Sequence, residues 1–261
     1  MKKQVKPILT LRHYGWQPDL PDYRDVMFAA SPASRGQLPA SVDLRKKCPP
    51  VMNQGMLSSC TAHAIGNAYR FNLMKQKLNV DFVPSRLFIY YNERVKIRTT
   101  NYDSGAMIRD GVKSLKKQGV CSETSLPYDI KKFTQKPNVS CYKEALSHQA
   151  LQYKRIPQSI AQMKACLASG YPFVFGFTVY DAFESAEVAK TGKLELPKQN
   201  EKVISGHAVL AVGYDDKTQR FMVQNSWGDE WGRMGYFTMP YAYINDPDLA
   251  EDFWTIRLVE G

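Results

Sequence analysis

The hydrophobic periodicity changes once along the chain, and this change limits the possible folds more than any other feature. Between residues 60 and 78, apolar side chains recur every three or four positions, which is the spacing of one helix face. After Gly170 the pattern becomes a series of dense apolar runs of β type, beginning with residues 171–179. Helices first and strands second predict an α+β protein, with a helical half packed beside a β half.

The same patterns predict the remaining elements and a division of the chain. Further helices are expected at residues 85–96, 105–118 and 159–169. Further strands are expected at residues 207–212, 221–224, 236–239 and 254–258. We divide the chain into an N-terminal segment at 1–37, a mainly helical lobe at 38–157 and a mainly β lobe at 158–261.

The composition is that of a globular protein. Of 261 residues, 44% are hydrophobic and 23% are charged, which argues against disorder and allows a sizeable core. The net charge of +10 raises nucleic acid as a partner. No basic helix or RNA-binding aromatic signature accompanies the charge, so we predict no nucleic-acid partner.

No segment is long and apolar enough to predict a membrane partner or a signal peptide. A membrane helix needs roughly 20 apolar residues, and residues 8–11 are too few for the core of a signal peptide. The compartment stays open: the protein is cytoplasmic or exported by another route, unless a targeting segment lies outside this sequence.

Cys60 stands at the front of the first predicted helix. The positive end of a helix is expected to lower the pKa of a thiol there. An ordinary thiol is only about 3% ionised at pH 7, so a nucleophilic cysteine also needs a neighbouring cation, usually histidine. Of the four histidines, His63 flanks Cys60 and His207 begins a predicted strand. Local context alone would make Cys60 a small buried residue.

Three ordered segments change that interpretation. Gln54 precedes Cys60 by six positions, Gly206-His207-Ala208 lies at the start of a strand, and Asn225-Ser226-Trp227-Gly228 follows. His207 comes 147 residues after Cys60. In this order the segments resemble the papain-like cysteine proteases, and the resemblance covers residues 38–261.

The resemblance implies roles for five residues. Cys60 would attack the scissile carbonyl, and His207 would hold the thiolate as an ion pair and then protonate the leaving amine. Asn225 would orient the His207 ring, and Trp227 would shield their hydrogen bond from water. Gln54 would donate its side-chain amide N–H to the oxyanion, with the Cys60 backbone N–H as the second donor. This chemistry requires no cofactor and no metal.

The resemblance also implies a two-lobed fold. A helical left lobe and an antiparallel, barrel-like right lobe would enclose a groove that holds an extended polypeptide substrate. Ser104 and Gly105 would lie on the groove wall and pair with the peptide backbone, where typical members have two glycines. Ala208 would help line the pocket for the second residue before the cut. A carboxypeptidase of this family would be indicated by paired histidines on an inserted loop, and the sequence has no such pair. We therefore predict an endopeptidase. We also predict a monomer.

The sequence departs from the family signature at two positions. Leu57 stands where typical members have a disulfide-bonded cysteine, and Thr61 replaces an aromatic residue. Neither change removes a catalytic group, and together they place the chain away from the common secreted plant and lysosomal branch. The short N-terminal segment and the ending at residues 249–254 resemble a bacterial branch similar to xylellain. Cys121 and Cys141 could form a disulfide or remain free thiols.

Residues 1–37 are much shorter than the usual helical pro-region of the family. Tyr14, Trp16, Leu20 and Tyr23 are predicted to anchor this segment over the groove as an inhibitory lid. Cleavage around residues 30–37 would then activate the enzyme. The alternative is a structural segment that only caps an edge.

Other functions stay open at this point. The same thioester chemistry serves an amidase, a deamidase or an acyl transferase acting on a protein side chain, because only the acceptor differs. A catalytically silent binding module could also retain the groove, although its four intact catalytic residues count against this. A nucleic-acid binder would show steeply salt-dependent affinity for oligonucleotides.

Overall fold

The computed structural model describes residues 14–30, 38–77 and 81–260. The helices are α1 (Cys60–Gln76), α2 (Arg86–Lys96), α3 (Ile108–Gln118), α4 (Val139–Ala145), α5 (Ile160–Ala168), α6 (Ala186–Thr191) and α7 (Tyr241–Asn245). The strands are β1 (Trp16–Gln17), β2 (Ser41–Asp43), β3 (Ala106–Met107), β4 (Ala150–Arg155), β5 (Phe173–Tyr180), β6 (Val203–Asp215), β7 (Arg220–Gln224), β8 (Tyr236–Pro240) and β9 (Ala250–Val259). Predictions on residues 1–13, 31–37 and 78–80 fall outside the described residues.

Helix α1 runs through the centre of the molecule. It packs against α2 and α3 on one side and against β6 and β9 on the other. Ile65 and Tyr69 on this helix are fully buried. Lys77 ends the helix in the left-handed conformation, at φ 52°, which is common at a helix C-terminus. Because both lobes pack on α1, its first residue lies where they meet.

The right lobe is built on one antiparallel sheet. Its strands lie in the order β4-β9-β5-β6-β7-β8, and β2 pairs with the far end of β6. Successive residues of β5 point to opposite faces of the sheet, and Phe173, Val174 and Phe175 are all fully buried, so the sheet is covered on both faces at its centre. In the described residues this strand order has two ends, so the sheet is open and not a closed barrel.

The predicted two-lobed α+β fold is confirmed. The helices expected at 60–78, 85–96, 105–118 and 159–169 are α1, α2, α3 and α5, and every predicted strand is present. Strand β6 is longer than expected, at Val203–Asp215. Strands β2 and β4, from the first half of the chain, also join the sheet.

Two further observations concern the whole described chain. All five cysteines are free, and Cys121 and Cys141 are buried thiols, which decides between the two possibilities left by the sequence. None of the helices that the structure describes is both long enough and apolar enough to cross a bilayer.

Candidate active site

The two lobes bring the predicted catalytic residues together. Cys60 is the first residue of α1, whereas His207 lies within β6 and Asn225 follows the end of β7. The Ala208 backbone N–H, next to His207, donates to the Cys60 Sγ at 3.4 Å. The thiol and the imidazole, 147 positions apart in sequence, are therefore neighbours at the junction of helix and sheet.

The His207 ring is held on two sides. Its Nε2 lies 2.8 Å from the Asn225 Oδ1, which also accepts the Ser226 backbone N–H at 2.8 Å. Because a carboxamide oxygen only accepts, this contact assigns the ring proton to Nε2. The Trp227 ring stacks on the imidazole, with centroids 5.1 Å apart and planes at 25°. Trp227 thus covers a face of the ring, beside the hydrogen bond that it was expected to shield.

Gln54 is fully buried, and its neighbours fix the orientation of its side-chain amide. The Ser226 hydroxyl donates to the Gln54 Oε1 at 2.6 Å, and the Gln54 Nε2 donates to the Leu57 carbonyl at 2.9 Å. The Tyr128 hydroxyl donates to the Gln54 backbone carbonyl at 2.9 Å. With its oxygen engaged by Ser226, the side chain presents its N–H groups toward the loop that leads into Cys60.

Residues 14–30 cross the groove, and we call this segment the strap. Its strand β1 pairs in parallel with β3 on the groove wall. The Ala106 backbone N–H donates to the Gly15 carbonyl at 2.7 Å, and the Gln17 Nε2 donates to the Ser104 carbonyl at 2.6 Å. A Cβ at Gly105 would lie 2.2 Å from the Gly15 oxygen. The predicted wall, Ser104–Gly105, therefore contacts the strap backbone.

The first residues of the strap cover the catalytic groups. The Tyr14 ring meets the His207 ring edge-on at 5.5 Å, and its hydroxyl donates to the Glu184 Oε1 at 2.7 Å. The Gly15 backbone N–H donates to the Cys60 thiol. Cys60 and His207 are both fully buried as a result.

Burial reverses the expected effect of the helix N-terminus on Cys60. Loss of water raises the pKa of the Cys60 thiol to about 12, although the N–H groups of Ala208 and Gly15 act in the opposite direction. The prediction of a lowered pKa is therefore wrong for the covered site. A negative charge on the sulfur would have to form without solvent. The free-energy cost of that lost solvation is larger than the stabilisation that the N–H groups offer.

Trp16 is inserted into a pocket next to the catalytic residues. Its ring lies against Gly176 of β5 and Gly206 of β6, where a Cβ would come within 2.0 Å and 2.6 Å of ring atoms. Its indole Nε1 donates to the Asp252 Oδ2 at 3.1 Å. Only 8% of the Trp16 surface remains exposed, so the pocket encloses the indole almost completely.

Buried carboxylates hold the middle of the strap. The Asp19 backbone N–H donates to the Asp252 Oδ2 at 2.7 Å, and the Trp254 indole donates to the Asp19 Oδ2 at 2.8 Å. Arg155 pairs with the Asp252 Oδ1 at 3.0 Å. Burial raises the pKa of Asp19, and it raises the pKa of Asp252 to about 7, with the Asp19 charge as a second cause.

Opposite charges hold the rest of the strap. Asp25 on the strap pairs with Arg109 of α3 at 2.6 Å, and Asp22 pairs with Lys113 of the same helix at 2.9 Å. The strap therefore presents acidic side chains to basic ones on the helical lobe.

Two of the four predicted anchors do not hold the strap. Leu20 and Tyr23 are 67% and 99% exposed, so their assignment as anchors is wrong. Tyr14 and Trp16 do contact the groove. Apolar character alone could not distinguish the two residues that anchor the strap from the two that do not. Whether a side chain anchors the strap depends on whether a cavity lies opposite it in the fold.

Several residues that shape the site have no motif of their own. Ser226 and Tyr128 fix Gln54, and Asp252 lies under Trp16. Ser226 lies inside the recognised Asn225 segment, which could have indicated its role. Gly206, directly before His207, was a signal for close approach of another group. Nothing local in the sequence points to Tyr128 or Asp252.

Comparison with known proteins agrees with this geometry. Residues 38–254 match the sequence profile of the papain family of cysteine proteases. An uncharacterised peptidase C1-like protein of Acanthamoeba polyphaga mimivirus is 43% identical, over 95% of this chain and 88% of its own length.

Solved structures show the same relationship. Xylellain, a cysteine protease from Xylella fastidiosa, is 44% identical, and the match covers 94% of this chain and 97% of that chain with a TM-score of 0.88. Procathepsin L 3 from the larval midgut of Tenebrio molitor shares the fold at 18% identity, with a TM-score of 0.71 over 96% of this chain and 77% of that chain. The chain therefore belongs to the papain family of cysteine proteases.

Proposed function

We propose that this papain-family protein is an endopeptidase in which Cys60 is the nucleophile and His207 the general base and acid. The observation that carries the proposal is the His207 ring, bonded through Nε2 to the Asn225 Oδ1 at 2.8 Å beside the Cys60 thiol. Since Nε2 carries the proton, the Nδ1 lone pair is the one available to the thiol proton.

The reaction then follows from these positions. The thiol proton passes to the His207 Nδ1, and the thiolate attacks the scissile carbonyl carbon. The tetrahedral oxyanion accepts N–H groups from the Gln54 side chain and the Cys60 backbone. The imidazolium returns its proton to the leaving amine, which departs and leaves a Cys60 thioester. Water, deprotonated by His207, hydrolyses the thioester and restores the thiol.

The strap is the proposed inhibitor of this reaction. Its contacts support the inhibition, because Tyr14 and Gly15 occupy the space that a substrate needs and leave Cys60 without solvent. The raised pKa of the Cys60 thiol keeps the sulfur protonated, and a thiol is a weaker nucleophile than a thiolate. The covered enzyme is latent for both reasons.

The strap is also a poor substrate in the orientation that it adopts. It presents the Gly15 N–H to the Cys60 sulfur. The Gly15 carbonyl oxygen is engaged by the Ala106 N–H at 2.7 Å. Because an N–H group and not a carbonyl carbon faces the sulfur, the thiol has no carbon to attack. The strap can therefore lie against the nucleophile and remain uncut.

Substrate is proposed to take the place of the strap. The Ser104 carbonyl and the wall at Gly105 would then pair with the substrate backbone, and Ala208 would border the pocket beside the nucleophile. Trp227 would keep its stacked position on His207. We propose that residues 1–37 are released by cleavage around residues 30–37, and that the lobes at 38–157 and 158–261 form the active monomer.

A panel of fluorogenic peptides tests the proposal. We expect low cleavage by the full-length chain and strong cleavage by a chain that begins at Leu38. Full-length Trp16→Ala gives a second test, because it weakens the strap without shortening the chain. If either variant is folded and no more active than the full-length protein, inhibition by the strap is wrong.

Product analysis by mass spectrometry separates the reaction classes. Two shorter peptides support a peptidase. An intact chain with a modified side chain would instead indicate the deamidase or acyl transferase alternative. Cys60→Ala is the control, since it removes the nucleophile and should give neither product.

A further inference from the structure

The pocket that holds Trp16 opens directly beside the nucleophile. Trp16 follows Gly15, whose N–H reaches the Cys60 sulfur, and it pairs in register with Ala106 on the groove wall. Gly206 in the pocket lies two positions before Ala208, which also contacts the sulfur. The strap runs parallel to this wall, so a substrate that pairs with the wall in the opposite, antiparallel direction would direct the side chain of a residue before its scissile bond into this pocket.

The shape of the pocket suits a large planar side chain. A Cβ at Gly176 would lie 2.0 Å from the Trp16 Cε2, and one at Gly206 would lie 2.6 Å from its Cε3. Real side chains do not tolerate such contacts. The two glycines thus leave a slot into which the two-ring indole fits, and any larger residue at either position would close it.

The chemistry at the end of the slot suits a hydrogen-bond donor. The Asp252 carboxylate is 2% exposed and accepts the Trp16 Nε1 at 3.1 Å. When the strap leaves, this acceptor also loses the Asp19 N–H. A buried carboxylate oxygen without a donor is costly. A substrate side chain that supplies a donor therefore gains over one that does not.

The surrounding charges favour a neutral donor over a cation. Arg155 already pairs with the Asp252 Oδ1 at 3.0 Å. Release of the strap removes Asp19 and Asp25, whereas Arg109 and Arg155 remain on the helical lobe and on β4. A second guanidinium in the slot would meet this positive charge, and an indole N–H would not.

We propose that the Trp16 pocket, formed by Gly176, Gly206 and Asp252, selects substrates with tryptophan at the second residue before the scissile bond. The strap would thus occupy the pocket with the side chain that a good substrate presents. This inference rests on the proposed peptidase function, because it assigns the specificity of the same groove.

The test uses the full-length Trp16→Ala chain, in which the pocket is vacated. Peptides that differ only at the second residue before the cut carry tryptophan, tyrosine, phenylalanine, leucine, alanine or arginine. We expect kcat/KM for tryptophan to exceed that for phenylalanine by about tenfold, the value of a hydrogen bond to a charged acceptor. Arginine should rank below tryptophan.

Two added substitutions separate donor from shape. Asp252→Asn keeps a residue that tolerates the φ of +59° at this position. It should reduce the tryptophan-to-phenylalanine ratio to about twofold, because the amide turns its oxygen to Arg155. Gly176→Ala should lower the tryptophan-to-alanine ratio by at least about tenfold, through steric exclusion. Each ratio is measured within one variant, which controls for folding.

Equilibrium binding of the same peptides to full-length Trp16→Ala carrying Cys60→Ala keeps the two proposals distinguishable. If the tryptophan peptide binds preferentially but the Trp16→Ala chain that retains Cys60 does not cleave it, the peptidase function is wrong and the assignment of the pocket is supported. Cleavage with phenylalanine, leucine or arginine equal to or above tryptophan would overturn the pocket assignment and support the peptidase. Neither cleavage nor selective binding would overturn both.

Discussion

The floor of the groove and the strap both lie against Cys60, but different forces hold them in place. The floor belongs to the core: Cys60 begins α1 and His207 lies within β6, and both elements are packed on two sides. The strap contributes a two-residue strand, paired with a two-residue partner, and a single bridge between Met27 and Arg155 of β4. Most of its attachment comes from side chains, above all the Trp16 indole and the Asp25–Arg109 ion pair.

This difference means that inhibition can be separated from folding. The catalytic residues cannot move apart unless the packing between helix and sheet is lost. The strap is held by side-chain contacts and a few backbone hydrogen bonds, so it can leave without loss of the core, as in other locally weak segments. Variants in the floor should therefore change chemistry and leave the strap in place, whereas variants in the strap should change access and leave the chemistry intact.

The largest effect is expected from the nucleophile. In the Trp16→Ala chain, Cys60→Ala should lower kcat/KM by at least about 10³-fold, since no other group can form the thioester. Hydrolysis of a fluorogenic peptide measures it. Cys48→Ala is the matched control, because Cys48 is a half-buried thiol whose Sγ lies 3.3 Å from the Leu44 carbonyl oxygen. Comparable loss in the control would contradict the role of Cys60.

A second floor variant tests the oxyanion donor. Gln54→Ala, again in the Trp16→Ala chain, should reduce kcat by about 10²- to 10³-fold, with little change in KM. The reason is that the Gln54 N–H groups would act on the oxyanion more than on the substrate. Steady-state kinetics separates the two parameters. A rise in KM with kcat unchanged would instead place Gln54 in substrate binding.

The strap should respond in the opposite sense. Full-length Trp16→Ala should cleave peptide about tenfold faster or more than the unaltered chain, because it loses a large buried side chain and the bond to Asp252. Tyr23→Ala is the matched control, since Tyr23 is 99% exposed. Equal activation by both variants would show that the Trp16 pocket does not hold the strap.

The smallest effect concerns pH and sharpens the comparison. Burial raises the pKa of Asp252 to about 7 and raises that of Asp19 in the closed form. A raised carboxyl pKa means that closure takes up protons. Its contribution is complete below the ordinary carboxyl pKa and is lost as the pH rises through about 7. Opening should increase with pH over this window, by no more than about tenfold per pH unit for one linked proton.

The ratio of Cys60 labelling rates in the full-length and Leu38-start chains, taken at each pH, measures this opening. The ratio cancels the intrinsic pH dependence of the thiol. Asp252→Asn should flatten the profile. A ratio that rises toward acid would contradict the assignment of these carboxylates.

The sequence predicted the floor well because its signals are local and ordered. Gln54, Cys60, His207 and Asn225 belong to short motifs, and the structure places all four together. Helix α1 was predicted because its apolar side chains recur every three or four positions, although residues 60–66 are buried on every side. A single amino-acid sequence shows both the spacing of residues within a motif and the period of apolar residues within a helix or strand.

The other elements and site residues depend on tertiary contacts, which a single amino-acid sequence does not show. Strand β4 is an edge strand with one buried residue and a mostly polar sequence, so it has no apolar run. Strand β6 begins with the exposed Val203 and Ile204 and continues through Ser205–Gly206, which resembles a turn. Asp252 becomes important only because β9 carries it under a segment more than two hundred residues earlier in the chain.

The central claim is that the strap covers an otherwise reactive Cys60. The direct measurement is the rate at which a thiol-directed epoxide labels Cys60, followed by mass spectrometry, in the full-length, Trp16→Ala and Leu38-start chains. We predict slow labelling of the full-length chain, faster labelling of Trp16→Ala, and stoichiometric labelling of Cys60 alone in the Leu38-start chain. Equal rates in all three folded proteins would contradict the account.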